Sequence, residues 1–179
     1  IPSYFSNSVL AAGDGPATGA VADLLAPFAP ELPPGTIEGY SLPEGSTEEL
    51  NRRDMRKAVA LLEDAGWSAE GGTLHDAKGA PFRLDILLPQ GSAEVQPMVD
   101  IYVEALKRLG ITPTVSLADP AQYRQRQDNY DFDMTWILRA LSLSPGNEQR
   151  LYWGAAGVSE PGSRNLMGMN SPAAEAMID

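Results

Sequence analysis

The chain has 179 residues, 43% of them hydrophobic and 21% charged, an ordinary balance for a globular protein with length enough for a substantial core. A formal net charge of −11, with no basic stripe to displace counterions from phosphates, excludes nucleic acid as a partner and argues against anionic membrane surfaces. The absence of cysteine excludes disulfides, thiolate nucleophiles and Cys-based zinc sites.

The one histidine, His75, lies among turn-forming residues, where a hairpin surface position is favoured over membership of a Ser-His-Asp triad. No apolar run approaches the roughly 20 residues needed to cross a bilayer, and no secretory signal is visible. The sequence starts at Ile1 rather than methionine, and a helix that Ser171 and Pro172 would start has barely begun at Asp179. The expectation is a segment cut at both ends from a longer protein.

Residues 1–50 form the first expected region, an extended wrapping segment. Ala, Gly and Pro dominate it, and Pro27, Pro30, Pro33 and Pro34 leave room for at most a short helix near Val21–Leu25. The glycine-rich run Gly13–Gly19 lacks the Lys-Ser/Thr of a phosphate loop and the GxGxxG spacing, and reads as a turn.

Residues 51–179 form the second region, an α/β lobe. Asn51 is a good N-cap, and Met55, Ala58, Val59, Leu62 and Ala65 then repeat as the stripe of an amphipathic helix that Gly66 stops. A hairpin is predicted over Thr73–Leu88, turning near Ala77–Gly79, with Phe82, Leu84, Ile86 and Leu88 on one face. A helix over about Gln96–Leu109 buries Val99, Tyr102, Val103, Leu106 and Leu109, and Lys107 and Arg108 suit its negative end.

Ile111–Leu117 reads as a strand. Asp119 then caps a short helix with proline at its first position, and Phe132, Met134, Trp136 and Leu138 alternate as a third strand, Trp136 belonging to the core rather than a cleft. The order β-α-β-α-β implies parallel strands, with ligands expected beyond their carboxyl ends.

Several stretches in this order look familiar. Asn51-Arg-Arg-Asp-Met-Arg-Lys-Ala58 leading into Leu61-Leu62-Glu-Asp-Ala-Gly-Trp67, Leu106-Lys-Arg-Leu-Gly-Ile111 and Tyr130-Asp-Phe-Asp-Met134 resemble the family 5 extracellular solute-binding proteins of ABC transporters. Tyr4-Phe-Ser-Asn-Ser8, Ser144-Pro-Gly-Asn-Glu-Gln149 and Gly162-Ser-Arg-Asn165 resemble the oligopeptide and microcin-uptake subgroup. The resemblance covers the second lobe of such a protein.

It implies a lobe of the type II periplasmic-binding-protein fold. The implied role is a non-enzymatic periplasmic receptor, without cofactors, that closes on a peptide or peptide-like solute. Its partners would be the permease subunits of an ABC importer in the inner membrane, and it would act as a monomer.

One departure matters. Oligopeptide binders of the family carry an acidic residue just after the third strand, which pairs with the peptide amino terminus. Here the stretch Arg139-Ala-Leu-Ser-Leu-Ser144 holds no carboxylate, its nearest counterpart being Ser142, and Arg139 is cationic. This favours a ligand with a carboxylate, phosphate or modified end.

The expected ligand-binding residues are Arg139, Ser142, Ser144, Asn147, Tyr152, Trp153 and Asn165. Two readings stay open for Arg139, an anion anchor or a surface salt bridge. Tyr152 and Trp153 either wall a cleft or pack. Asn165 rests on the resemblance alone.

The rival from another class is an α/β glycosyltransferase fragment. Asp131 and Asp133 have the DxD spacing that such enzymes use to hold a divalent metal, and alternate strand residues share a face. The family-type strand start explains the same residues without a metal, and no metal site is expected.

Overall fold

The computed structural model describes residues 5, 7–11, 13, 15–40 and 51–179. Tyr4 and Ser6 of the first motif, Asp14 of the glycine-rich run and residues 41–50 of the expected wrapping segment lie outside them. Contacts divide the chain into two compact units, Gly45–Ile137 and a second made of Ile1–Glu44 with Leu138–Asp179.

In the first unit, α1 (Arg52–Asp64) starts where Asn51 accepts the backbone N–H groups of Arg53 at 3.0 Å and Asp54 at 3.2 Å. Met55, Ala58 and Leu62 are half-buried, while Val59 and Ala65 are exposed, so one edge of the expected stripe is covered and the other is bare. Leu62 and Trp67 pack on the core, and Trp67 stacks on Phe82 with ring centroids 4.4 Å apart.

The expected hairpin is only partly formed. β1 (Ser68–Glu70) and β2 (Thr73–His75) make an antiparallel ribbon of their own, and a single bridge, His75 to Pro81, survives from the hairpin. The turn is where it was expected, with Asp76 Oδ1 accepting the N–H groups of Lys78 at 2.9 Å and Ala80 at 2.8 Å. The second arm, β3 (Arg83–Pro89), leaves the hairpin because two parallel partners take up its backbone. His75 is half-buried rather than at the surface.

Those partners are β4 (Thr112–Ala118) and β5 (Met134–Thr135), reached through α2 (Gln96–Arg108) and α3 (Pro120–Asp128), in the order β4-β3-β5. The β-α-β-α-β unit with parallel strands is therefore present. Central position buries Ile86, Leu87 and Leu88 of β3 on both faces, and Ile86 and Leu88 share one core cluster with Leu74, Val95, Leu106 and Ile111. Asp119 caps α3 as read from its sequence, accepting from Ala121 N at 2.9 Å and Gln122 N at 3.0 Å.

Two expected core residues are elsewhere. Tyr102 is exposed, grouped with Met98 and Ile101 on the outer side of α2. Trp136 is 38% exposed, because β5 ends one residue earlier. The Tyr123 hydroxyl donates to the Trp136 carbonyl and also bonds Thr135 Oγ1, so the ladder is closed off by a side chain. The third strand thus never reaches Leu138, which is 80% exposed.

In the second unit, α4 (Gly19–Leu25) runs into a 3-10 turn at Ala26–Glu31, where an extended segment with a short helix was expected. The remaining elements are α5 (Glu148–Trp153), a 3-10 turn at Ala155–Val158, and α6 (Pro172–Ile178). Ser171 caps α6 through Ala174 N at 3.4 Å, and α4 packs against α6.

Two glycines with positive φ test the packing. Gly66, at φ +89°, has open space beside it, whereas a Cβ at Gly110, at φ +83°, would lie 3.0 Å from Leu74 N and 3.1 Å from the Gly72 carbonyl. Urea unfolding of Gly66→Ala should show a loss of about 1–2 kcal/mol from backbone strain alone. Gly110→Ala should lose clearly more, since backbone of the β1–β2 ribbon must also move.

Candidate ligand-binding site

Beyond β5 the chain from Trp136 to Asn147 has no regular structure, and it carries most of the residues singled out by sequence. Arg139 is half-buried. Its guanidinium carbon lies over the Tyr152 ring, 4.0 Å from the centroid, and 4.9 Å from that of Trp153. Nη2 donates to the Arg164 carbonyl at 3.3 Å, while Nε and Nη1 are covered and have no acceptor among the described residues. Arg139, Tyr152 and Trp153 therefore form one cluster, in which the cation rests on aromatic faces rather than on a carboxylate.

α5 presents the two rings because they close its last turn. Trp153 Nε1 donates to Gln149 Oε1 one turn earlier at 3.1 Å. Ahead of the helix, the Glu148 carboxylate accepts the Gly146 N–H at 2.9 Å, and that bond holds its pKa below the usual carboxylate range. Asn147 is exposed, and with Trp153 it lines a cleft of about 590 Å³ whose other walls include Met169, Ala174, Met177 and Ile178. Arg150 lines the same cleft and is paired with Asp179. No sequence pattern marks the α6 side of this cleft, since its residues are unremarkable apolar positions on a short helix.

Ser142 and Ser144 sit in the exposed loop and serve each other. Ser142 Oγ donates to the Ser144 carbonyl at 3.0 Å and accepts the Ser144 N–H at 3.2 Å.

Asn165 is a different case. It is fully buried; its amide nitrogen donates to Gly154 O at 3.1 Å and Met169 O at 2.8 Å, and its Oδ1 accepts Met169 N–H at 2.9 Å. These bonds tie the end of α5 to the loop before α6. The side chain is a clamp inside the unit with no exposed surface, which corrects the expectation that it lines the ligand surface.

The DxD carboxylates are engaged within the fold. Asp133 Oδ2 accepts the Asp85 N–H at 2.7 Å, and Asp131 Oδ2 accepts Arg126 Nε at 2.9 Å. Arg126 Nη2 reaches Asp85 Oδ2 at 2.6 Å, and Ser116 Oγ bonds Asp85 Oδ1 at 2.5 Å. The hydrogen bond that Arg126 donates to Asp85, followed by the one it donates to Asp131, holds its pKa above the ordinary value. Tyr130, at φ +53°, makes the tight turn that delivers Asp131 to the arginine. Among the described residues no group of three or more His, Cys, Asp or Glu side chains could hold a metal ion.

Comparison with known families matches residues 4–159 to the middle region of the bacterial extracellular solute-binding proteins, family 5. The chain belongs to this family. An uncharacterised protein of Sinorhizobium fredii, y4wM, is 40% identical over 141 residues, 78% of this chain and 21% of its own length. The probable peptide-binding protein YejA of Agrobacterium fabrum is 33% identical over 180 residues, 99% of this chain and 29% of its own length.

Among solved structures, the oligopeptide-binding protein AppA of Bacillus subtilis, in complex with a nonapeptide, matches with a TM-score of 0.59 and 21% identity. The match covers 69% of this chain and 24% of that one, and it fixes the fold as a type II binding-protein lobe. The chain thus spans between about a fifth and three tenths of the length of the curated relatives it matches.

The polar group at Asp85 is part of the frame of the first unit. Asp133→Ala removes the acceptor of the Asp85 N–H and should cost roughly 0.5–1.5 kcal/mol in chemical denaturation. Added manganese should leave the wild-type melting temperature unchanged. Asn165→Ala strands several backbone groups in the interior and should cost at least about 2 kcal/mol, measured the same way.

Proposed function

We propose that this chain is the second-lobe segment of the substrate-binding component of an ABC importer. The receptor captures a peptide or peptide-like solute in the periplasm, as a monomer, and hands it to permease subunits in the inner membrane without chemical change. The observation that carries this reading is the family match over residues 4–159. The name of YejA as a probable peptide-binding protein and the nonapeptide bound to AppA support a peptide as the solute. Among the described residues no helix is long and apolar enough to cross a membrane.

The physical logic is that of two lobes sharing one ligand. Each supplies part of the contact surface, so the ligand stabilises the closed state by binding it better than the open one. The loop from Arg139 through Ser142, Ser144 and Asn147, with Tyr152 and Trp153 beneath it, is this lobe's share. The loop suits that task because most of its polar atoms face solvent and its backbone is committed to no ladder. The transferase reading has no comparable support, since both DxD carboxylates already hold the fold together.

Calorimetry on the full-length protein with a pooled tri- to nonapeptide library tests this reading. Tyr152→Ala and Trp153→Ala should each weaken binding roughly tenfold or more, as aromatic anchors at interfaces do. The isolated 179-residue chain should bind more weakly than the full-length protein by a larger factor. Equal affinities for the two would contradict the two-lobe mechanism, and unaltered binding in both aromatic variants would remove the site from this loop.

A further inference from the structure

We infer that the receptor selects its solute by a free carboxylate and that Arg139 is the residue that reads it, an inference that rests on the proposed peptide-receptor function. The chain carries 24 acidic residues, and among the described residues none stands within ion-pair distance of Arg139. The contrast with Arg126 is direct. Arg126, similarly sheltered, meets Asp85 at 2.6 Å and Asp131 at 2.9 Å. Among the described residues Arg139 instead meets two aromatic faces and one carbonyl, with Nε and Nη1 covered and without acceptors there.

A half-buried cation with no counter-ion among the described residues is an unfinished ion pair. Cation–π contact compensates part of its lost hydration and supplies no hydrogen-bond acceptor. The one bond it makes, 3.3 Å from Nη2 to the Arg164 carbonyl, lies at the long end of the range and is readily exchanged. Either forked pair of guanidinium donors includes Nη2, so a carboxylate that replaces this carbonyl gains a two-point contact.

Drawing the guanidinium toward an anion also uncovers the faces of Tyr152 and Trp153 for the residue next to the carboxylate. Polarity then decides specificity. A peptide carboxyl terminus is attracted and an unmodified amino terminus repelled, so the free acid end of the peptide is the end this lobe holds.

The test uses the full-length receptor and one pooled library of synthetic tri- to nonapeptides, prepared as free acids, as carboxyl-terminal amides, and as amino-terminally acetylated acids. Retained peptides are identified by mass spectrometry, and the best-retained sequence is titrated by calorimetry in all three forms. Amidation should weaken binding roughly tenfold to a hundredfold, the worth of a hydrogen bond to a charged group, while acetylation should change it less than threefold. Arg139→Gln should remove the acid-over-amide preference, and Arg139→Lys should retain part of it, both with the wild-type melting temperature nearly unchanged.

Equal binding of acid and amide by the wild-type protein, or an acid preference that persists in Arg139→Gln, would overturn the inference and leave the peptide receptor standing. Retention of no peptide in any form would defeat the receptor reading itself, and this inference with it.

Discussion

β3 is the constraint on which the first unit depends. As the middle of three parallel strands it must be apolar on both faces, and Ile86, Leu87 and Leu88 meet that demand. At its amino-terminal end the same strand carries Asp85, a charge on the way into a core. The surrounding sequence answers it with Arg126 from α3, Ser116 from β4 and the Asp133 carboxylate on the Asp85 N–H. Arg126 and Ser116 come from elements that the crossover connections bring to β3, and Asp133 directly precedes β5, so the polar group ties these neighbours to β3 while the apolar residues supply the burial. A spacing that in isolation suggests metal binding is here the lock on a strand pairing.

The second unit is organised by a different interaction, the buried amide of Asn165. It has helices of only six or seven residues and no strand of its own among the described residues, so periodic backbone bonding contributes little there. Asn165 joins Gly154 at the end of α5 to Met169 before α6 through both functions of its side chain. The consequence is a small rigid corner beside a loop whose own bonds are few and local. Such a loop can rearrange while the corner keeps Tyr152 and Trp153 in position.

Much of this was legible from residue patterns. Caps at Asn51, Asp119 and Ser171 were readable because a short polar side chain before a helical pattern has one good use. The parallel β-α-β-α-β order followed from helix lengths between apolar strands. What failed depended on tertiary competition. Thr73–Leu88 carries a hairpin's turn, yet β3 pairs elsewhere, since strand partners are chosen by the whole sheet. Trp136 continues an alternation that Tyr123 interrupts, a side chain thirteen residues away that no local pattern registers. Arg139 was visible as a charge out of place, but its seat on two aromatic rings was not. Asn165 in a polar loop gave no hint that it is fully buried.

The proposed receptor function has one defining consequence, that the full-length protein holds a peptide. Native mass spectrometry of the full-length protein, purified from cells with no solute added, measures it directly. The expected spectrum contains, beside the bare protein, adducts that fragment into peptides with free carboxyl termini. A spectrum with only the bare protein, or with adducts that contain no amino acids, would contradict it.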